Sequence, residues 1–333
     1  MKKIKKLQLI LTILSIVSFI TPVNADVKVV TSIKPLHSLA SYLMDGVAKP
    51  DLIVDGYASP HGFSMKPSHA KMLQNADLIF WVGEGMENFL EKPLNSIAKK
   101  AEKIELMETK GLQVLKFRER NIFDEHDHDD HDDHGKKEDD HDDHDHDDHG
   151  KKEEHDDHDD HEGHNHGEYD AHIWLDPINA KVILFEMSKH LIELDAKNES
   201  FYRDNLSKAY NEIDILTKDV TAELDQSVAS IVFHDAYQYF EKRFNVNILG
   251  AFTVNADVMP GAEQLAEIRE IIEHDKVSCV FSEPQFNPDI IKAVAKDMNI
   301  KTGVIDPLGA TLDSGKDLYF KLIRNMSASF KCC

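Results

Sequence analysis

The sequence predicts an α/β protein of two Rossmann-like lobes joined by a long rigid helix, with a disordered loop rich in histidine and aspartate inserted in the first lobe. Short β-rich runs alternate with helical patterns near the start of the chain and again after residue 228. Residues 199–225 carry apolar side chains at spacings of three and four, and a helix of roughly 27 residues would span about 40 Å. Residues 124–168 contain no apolar residue and cannot bury a core.

The first lobe is predicted from two strand-and-helix pairs. Residues 27–30 are β-rich and precede a helical pattern over 36–44, and residues 77–82 precede one over 86–99. A further apolar run covers residues 52–54. Strands that alternate with helices favour a parallel sheet covered by helices.

The same alternation returns in the second lobe, with β-rich runs at 229–233, 277–281 and 301–305. Between the lobes, residues 178–194 and 199–225 have the apolar spacing of helices. The 41% hydrophobic content allows two ordinary cores.

The first 25 residues are predicted to be a cleaved secretory signal. Lysines open the chain, an uncharged, mostly apolar run follows over 7–20, and the segment ends on the small residue Ala25. The apolar run is shorter than the roughly 20 residues that span a bilayer, so we expect an exported chain without a stable membrane anchor. The predicted divisions are a signal at 1–25, a first lobe at 26–196, a linking helix at 197–227 and a second lobe at 228–333.

The net charge of −23 is concentrated in one segment. Residues 124–168 hold 23 acidic residues and four lysines, which account for −19 of the total. The rest of the chain is nearly balanced. Because binding to DNA or RNA needs a basic surface, the composition excludes nucleic acid as the main partner.

The acidic segment also holds 13 of the 20 histidines. Neutral imidazole and carboxylate are both zinc ligands, so we predict several accessory metal sites. Each must order flexible backbone, at about 1–2 kcal/mol per residue, so these sites should be weaker than one held on strands. A solvated acidic loop is the alternative. The histidines are His126, His128, His131, His134, His141, His144, His146, His149, His155, His158, His161, His164 and His166.

Three isolated histidines lie where a cleft between the lobes is expected. His61 lies in a turn-rich loop after an apolar run, His172 precedes the connecting helices, and His234 follows a strand pattern. Open α/β sheets bind ligands outside the carboxyl ends of their strands. Three such imidazoles would suffice for a metal, although a histidine taken singly is more often structural. We predict packing or surface roles for the others, His37, His69, His190 and His274.

Export places the three cysteines in an oxidising compartment, where Cys279 can pair with Cys332 or Cys333. The spacing does not choose between these partners. Three free thiols are the alternative.

Several motifs give the chain a resemblance to the ZnuA-type periplasmic zinc-binding components of ABC uptake systems. Together they cover nearly the whole mature chain. The motifs are Lys66-Pro67-Ser68, Trp81-Val82-Gly83, His172-Ile173-Trp174-Leu175-Asp176-Pro177, Phe233-His234-Asp235-Ala236-Tyr237, Glu283-Pro284-Gln285-Phe286 and Asp306-Pro307-Leu308-Gly309.

The resemblance implies that Zn²⁺ is a transported cargo held in the cleft by His61, His172 and His234. Asp306 falls on the family's carboxylate position, where it either binds the metal or lies next to the site without binding it. Pro60 is a departure, because some relatives carry an acidic residue there. The family also has a disulfide similar to one from Cys279 to a C-terminal cysteine.

The resemblance further implies that a periplasmic protein delivers zinc to the membrane permease of a zinc ABC transporter. We expect a monomer, the default for a soluble cargo carrier, and we expect that separation of the lobes on docking moves His234 and Asp306 away from His61 and His172. A zinc buffer or chaperone acting mainly through the histidine-rich loop is the alternative. We do not expect an enzyme, since neither a His-Glu-x-x-His helix nor a Gly-x-Ser-x-Gly turn is present. A manganese-binding relative would more typically carry an acid in place of His234.

Overall fold

The computed structural model describes residues 27–118, 121–122, 168–224, 229–254, 258, 260–296, 298 and 300–332. The predicted signal, and all of the predicted histidine-rich loop except Glu168, lie outside these residues. Within the described part of the chain, no helix has the length and apolar character needed to cross a membrane.

The first sheet is parallel, with its four strands in the order β2-β1-β3-β4. All five residues of β1 are buried, as expected for a central strand with both faces covered. The elements are β1 (Val29–Ile33), α1 (Lys34–Leu43), β2 (Asp51–Val54), α2 (Pro67–Asn75), β3 (Leu78–Trp81), α3 (Glu84–Ser96) and β4 (Glu102–Glu105).

The second sheet repeats this arrangement with four parallel strands in the order β6-β5-β7-β8. Its central strand β5 is buried at all six positions. The elements are β5 (Ala229–His234), α6 (Gln238–Phe244), β6 (Asn247–Thr253), α7 (Ala262–His274), β7 (Cys279–Ser282), α8 (Asp289–Ala295) and β8 (Lys301–Val304), and α9 (Leu318–Cys332) closes the chain.

The two predicted connecting helices are present as α4 (Pro177–Leu194) and α5 (Glu199–Glu223). The side chain of Asp176 starts α4 by accepting a hydrogen bond from Ile178 N at 2.8 Å, which satisfies one of the free N–H groups of the first turn. The 25 residues of α5 give a length of about 37 Å, and the helix packs against α1, α4 and α9.

One hydrophobic cluster extends from Val29 in the first sheet to Phe330 in the last helix. It is continuous because α9 returns to the first lobe, where Tyr319 N donates to Ser38 Oγ and Tyr319 Oη donates to Trp174 O, both at 2.9 Å. A smaller cluster, including Ile231, belongs to the second lobe alone. The predicted two-lobe α/β fold is confirmed, and its lobes share the larger core.

Cys279 on β7 is fully buried and disulfide-bonded. The other two cysteines of the chain are Cys332 and Cys333. Their side chains lie outside the described residues, so the choice between them stays a prediction.

Substitutions in α5 test how much the shared core contributes to the free energy of unfolding. We expect Leu216→Ala to lower the free energy of unfolding by about 2–5 kcal/mol, because Leu216 is fully buried and its truncation leaves a cavity. The neighbouring Ile215 is 57% exposed, and Ile215→Ala should change stability by no more than about 0.5 kcal/mol. Urea unfolding of both variants measures the difference, and equal destabilisation would contradict the packing described here.

Candidate metal centre

The imidazoles of His61, His172 and His234 meet between the two sheets. Each offers one ring nitrogen, and these three atoms lie within 4.8 Å of one another. The Nε2 atoms of His172 and His234 are 3.4 Å apart. No other described group of three or more potential ligand residues combines three imidazoles.

Each histidine reaches the centre from a different kind of local structure. His234 is the last residue of β5, at the carboxyl end of a central strand. His172 precedes a 3₁₀ turn, Ile173–Leu175, that leads into α4. His61 lies in the turn after β2, where its backbone N donates to Ser59 Oγ at 3.3 Å. Two of the histidines are therefore buried beside regular structure, and the third is carried by a loop.

A carboxylate stands behind each of the two buried imidazoles. Asp170 Oδ1 lies 2.7 Å from His172 Nδ1, and Glu283 Oε1 lies 2.7 Å from His234 Nδ1. A metal-binding histidine commonly donates its far ring N–H to such a carboxylate, which fixes the tautomer and the ring orientation. Both contacts leave Nε2 free of the carboxylate and directed toward the other histidine.

Two buried carboxylates also make the site suited to a cation. Asp170 and Glu283 are each only 2% exposed, and their second oxygens, Oδ2 and Oε2, have no hydrogen-bond partner in the described structure. Buried carboxylate oxygens without partners are costly, and a nearby positive ion offsets that cost. The two buried carboxylates are therefore compatible with a positive ion bound by the neighbouring imidazoles.

Burial sets the protonation of these groups. It lowers the pKa of His172 well below its ordinary value, an effect to which the charge of His234 adds. It also raises the pKa of Asp170 to about 7, against the hydrogen bond from His172 N. Burial lowers the pKa of His234 as well, but the charge and hydrogen bond of Glu283 outweigh it and raise the pKa overall. His172 is therefore held as the neutral imidazole that a metal requires.

The space at the centre admits a single ion. The cavity lined by the three imidazoles has a volume of about 10 Å³, roughly that needed to hold one water molecule. Apolar groups, including Trp174, Phe286 and Pro60, form part of its wall. An organic substrate cannot enter a cavity of this size without rearrangement.

Asp306 is not part of the three-histidine group. Its Oδ1 accepts hydrogen bonds from Gln285 Nε2 at 3.1 Å and Leu308 N at 3.2 Å, and its Oδ2 accepts one from Thr311 N at 3.3 Å. This carboxylate organises the loop beside the cavity. The resemblance allows Asp306 either to bind the metal or to lie beside the site without binding it, and the geometry favours the second role.

The chain on either side of the histidine-rich segment lies against the site. Arg118 binds Asp235 Oδ1 at 3.1 Å and Glu241 Oε2 at 2.6 Å, so it reaches the residue next to His234. Ile122 forms an antiparallel bridge with Gly250, where a Cβ atom would lie 2.6 Å from Asn121 O. On the return, Asp170 N donates to Leu115 O at 2.9 Å. Both ends of the segment are thus attached beside the cleft.

The sequence interpretation assigned no role to Asp170 or Glu283. Asp170 lies two residues before His172, a spacing that lets one carboxylate bond both the backbone N and the ring of that histidine. Glu283 directly follows β7, the neighbour of β5, and could have been found by asking which polar residues end adjacent strands.

Comparison with known proteins agrees with this architecture. The chain matches the family described as "Zinc-uptake complex component A periplasmic", ZnuA, over residues 29–333. The protein named High-affinity zinc uptake system protein ZnuA of Brucella abortus (strain 2308) is 50% identical over 308 residues, which cover 92% of this chain and 91% of the relative.

Two solved structures share the fold. A mutant of the laminin-binding adhesin Lmb from Streptococcus agalactiae superposes with a TM-score of 0.69 at 22% identity, covering 92% of this chain and 98% of that one. A crystal structure of ZnuA gives a TM-score of 0.68 at 19% identity, covering 92% and 100%. The family match identifies an uptake component, in agreement with the expectation that the protein is not an enzyme. From the match over nearly its whole length and the identity to its relative, the chain belongs to the ZnuA family of periplasmic zinc-uptake components.

Proposed function

We propose that this protein captures one zinc ion in the periplasm and delivers it to the permease of a zinc ABC transporter, with His61, His172 and His234 as ligands. The observation that carries the proposal is the convergence of three imidazoles on a cavity of about 10 Å³, large enough for one ion. Membership in a family of zinc-uptake components supports the same cargo.

The donor set favours zinc on chemical grounds. Three imidazoles suit zinc, copper or nickel, whereas magnesium, calcium and manganese prefer oxygen ligands. Zinc takes four ligands in a tetrahedral arrangement at roughly 2.0–2.1 Å from histidine nitrogen. The fourth ligand that we favour is a water molecule entering from solvent on the side of the partly exposed His61, because the oxygens of Asp306 already accept hydrogen bonds from Gln285, Leu308 and Thr311.

The histidine-rich segment is proposed to gather zinc for the cleft. Its 13 histidines lie between residues that pack against the site, since Ile122 bridges to β6 and Asp170 orients His172. Tethering weak sites next to a strong one raises the local concentration of the ion around the strong site. A buffer acting through this segment alone would not need the oriented imidazoles of the cleft.

Release is proposed to depend on His61 more than on a wide opening of the lobes. Separating the lobes would expose the shared core and break the hydrogen bonds of Tyr319 to Ser38 and Trp174. His61 lies on a turn, so its withdrawal leaves the core intact. Loss of one ligand of three lowers the affinity enough for transfer to a membrane partner.

Competitive zinc titration tests the capture site. We expect one tight zinc per chain, and the variants His61→Ala, His172→Ala and His234→Ala should each weaken it severely, because each removes a ligand. His274→Ala, at an exposed position on α7, is the matched control and should bind as the parent does.

Removal of the histidine-rich segment distinguishes the transport proposal from the alternative of a zinc buffer that acts through this segment. Replacing residues 124–166 by a short glycine and serine linker keeps Glu168, whose carbonyl accepts a hydrogen bond from Phe117 N at 3.0 Å. The tight site should survive this change. If tight binding disappears with the segment and the three alanine variants have no effect, the cleft is not the capture site.

The orienting carboxylates give a second prediction for zinc affinity. Asp170→Asn and Glu283→Gln should each weaken zinc binding about 10–100-fold while the protein stays folded, since each removes a charged partner of a ligand and not the ligand itself. Asp306→Asn should have a smaller effect on affinity. Circular dichroism checks the fold, and a larger loss for Asp306→Asn would show that this residue ligates.

If release depends on withdrawal of His61, the distance between the two lobes should change little when the protein docks. Spin labels on the exposed Glu91 of α3 and Glu267 of α7 should keep the same distance distribution with and without the permease in lipid nanodiscs. A label on Tyr57, 61% exposed in the loop that carries His61, should shift relative to Glu267. A large increase in the Glu91 to Glu267 distance would replace loop withdrawal by lobe separation.

A further inference from the structure

A second cluster of ligand residues lies away from the cleft, where β4 begins and α4 ends. It contains Glu102, His190 and Glu193, each of which offers one ligand atom within 4.8 Å of the others. Glu102 is the first residue of β4, at the opposite end of the strand from the carboxyl edges that face the cleft. Ions at the two places could therefore share no ligand.

The ring of His190 is oriented in the same manner as those in the cleft. Its Nε2 lies 3.1 Å from Oε1 of Glu186, one helical turn earlier. Both oxygens of Glu186 also accept hydrogen bonds from Lys189 Nζ at 3.0 Å. Glu186 therefore serves as the carboxylate behind the imidazole, and its pair with Lys189 keeps it from turning into the cluster.

The other ring nitrogen has an unusual environment. His190 Nδ1 is buried and lies 2.7 Å from Glu102 Oε1 and 4.0 Å from Glu193 Oε2. The shorter contact lacks the in-line N–H···O geometry of a hydrogen bond, so Nδ1 has no hydrogen-bond partner among the described residues.

A bound positive ion would stabilise this arrangement. When Nε2 carries the proton that it donates to Glu186, Nδ1 presents a lone pair to two carboxylates, and the three groups repel one another. The final turn of α4 adds the negative end of the helix dipole, which favours a cation at the same place. One imidazole nitrogen and two carboxylate oxygens make a ligand set that zinc and similar divalent ions accept.

We propose that Glu102, His190 and Glu193 form a second binding site for a divalent metal ion of the zinc class, independent of the cleft. The side chains of Glu102 and Glu193 are 38% and 65% exposed, so water completes the coordination. This exposure and the smaller number of imidazoles make the site weaker than the cleft. It should therefore fill at a higher zinc concentration than the cleft.

Diffraction at the zinc absorption edge tests the site in the mature full-length chain, crystallised with an excess of zinc chloride. An anomalous peak should lie at bonding distance from His190 Nδ1 and both carboxylates, and it should be lost in Glu193→Gln while the cleft peak remains. Glu223→Gln, at an exposed helix-end glutamate outside the cluster, is the matched control and should keep both peaks.

A solution measurement guards against a contact made only by crystal packing. Exchange of the ring C2 hydrogen, followed by mass spectrometry, reports on each histidine separately, and zinc should slow it at His190 in the parent but not in Glu193→Gln. His274 should show no such change. An absent peak, a peak completed by a neighbouring molecule, or zinc-insensitive exchange at His190 would reduce the cluster to a direct pair between His190 and Glu102, and would overturn the proposal.

Discussion

The structure depends on two buried pairs of carboxylate and imidazole, Asp170 with His172 and Glu283 with His234. Each carboxylate holds one ring nitrogen at 2.7 Å, and the opposite nitrogens of the two rings are left 3.4 Å apart. Bringing these groups together without a cation is unfavourable. The two carboxylates are buried, and the neighbouring imidazoles cannot all carry the positive charge that would compensate them. The rest of the fold must supply enough packing energy to keep them in place.

That packing energy comes from a core that the two lobes share. The sheets have the same strand order, and the second contributes the carboxyl end of its central strand β5 to the cleft, whereas the first contributes the loop after its edge strand β2. The last helix returns from the second lobe to α1 and α5, so that the apolar cluster runs through both lobes. A cleft built on one core keeps its ligands fixed, whereas two lobes on a flexible hinge would let them drift apart.

The two clusters of ligand residues follow the same physical rule at different strengths. In both, a carboxylate fixes one nitrogen of an imidazole and leaves the other for an ion. In the cleft, the proposed ligands are imidazoles from three parts of the chain, and the surroundings are largely buried. At the end of α4, two of the three proposed ligand residues are exposed to solvent, which weakens electrostatic attraction to an ion there.

The amino-acid sequence by itself determined the fold class, the two connecting helices and the three histidines of the cleft. Alternating strands and helices follow from local periodicity, and motifs place His61, His172 and His234 at loops and strand ends. The sequence pattern did not predict β4, an edge strand in which three of the four residues are charged, and it did not predict β6 (Asn247–Thr253). Only the tertiary structure decided that Asp170 and Glu283 orient the histidines, that Asp306 bonds its own loop, and that Glu102 meets His190. The physical reason is that these contacts depend on which strand ends and helix ends are brought together by packing. Periodicity along the chain carries no information about the distance in space between residues that are far apart in the sequence.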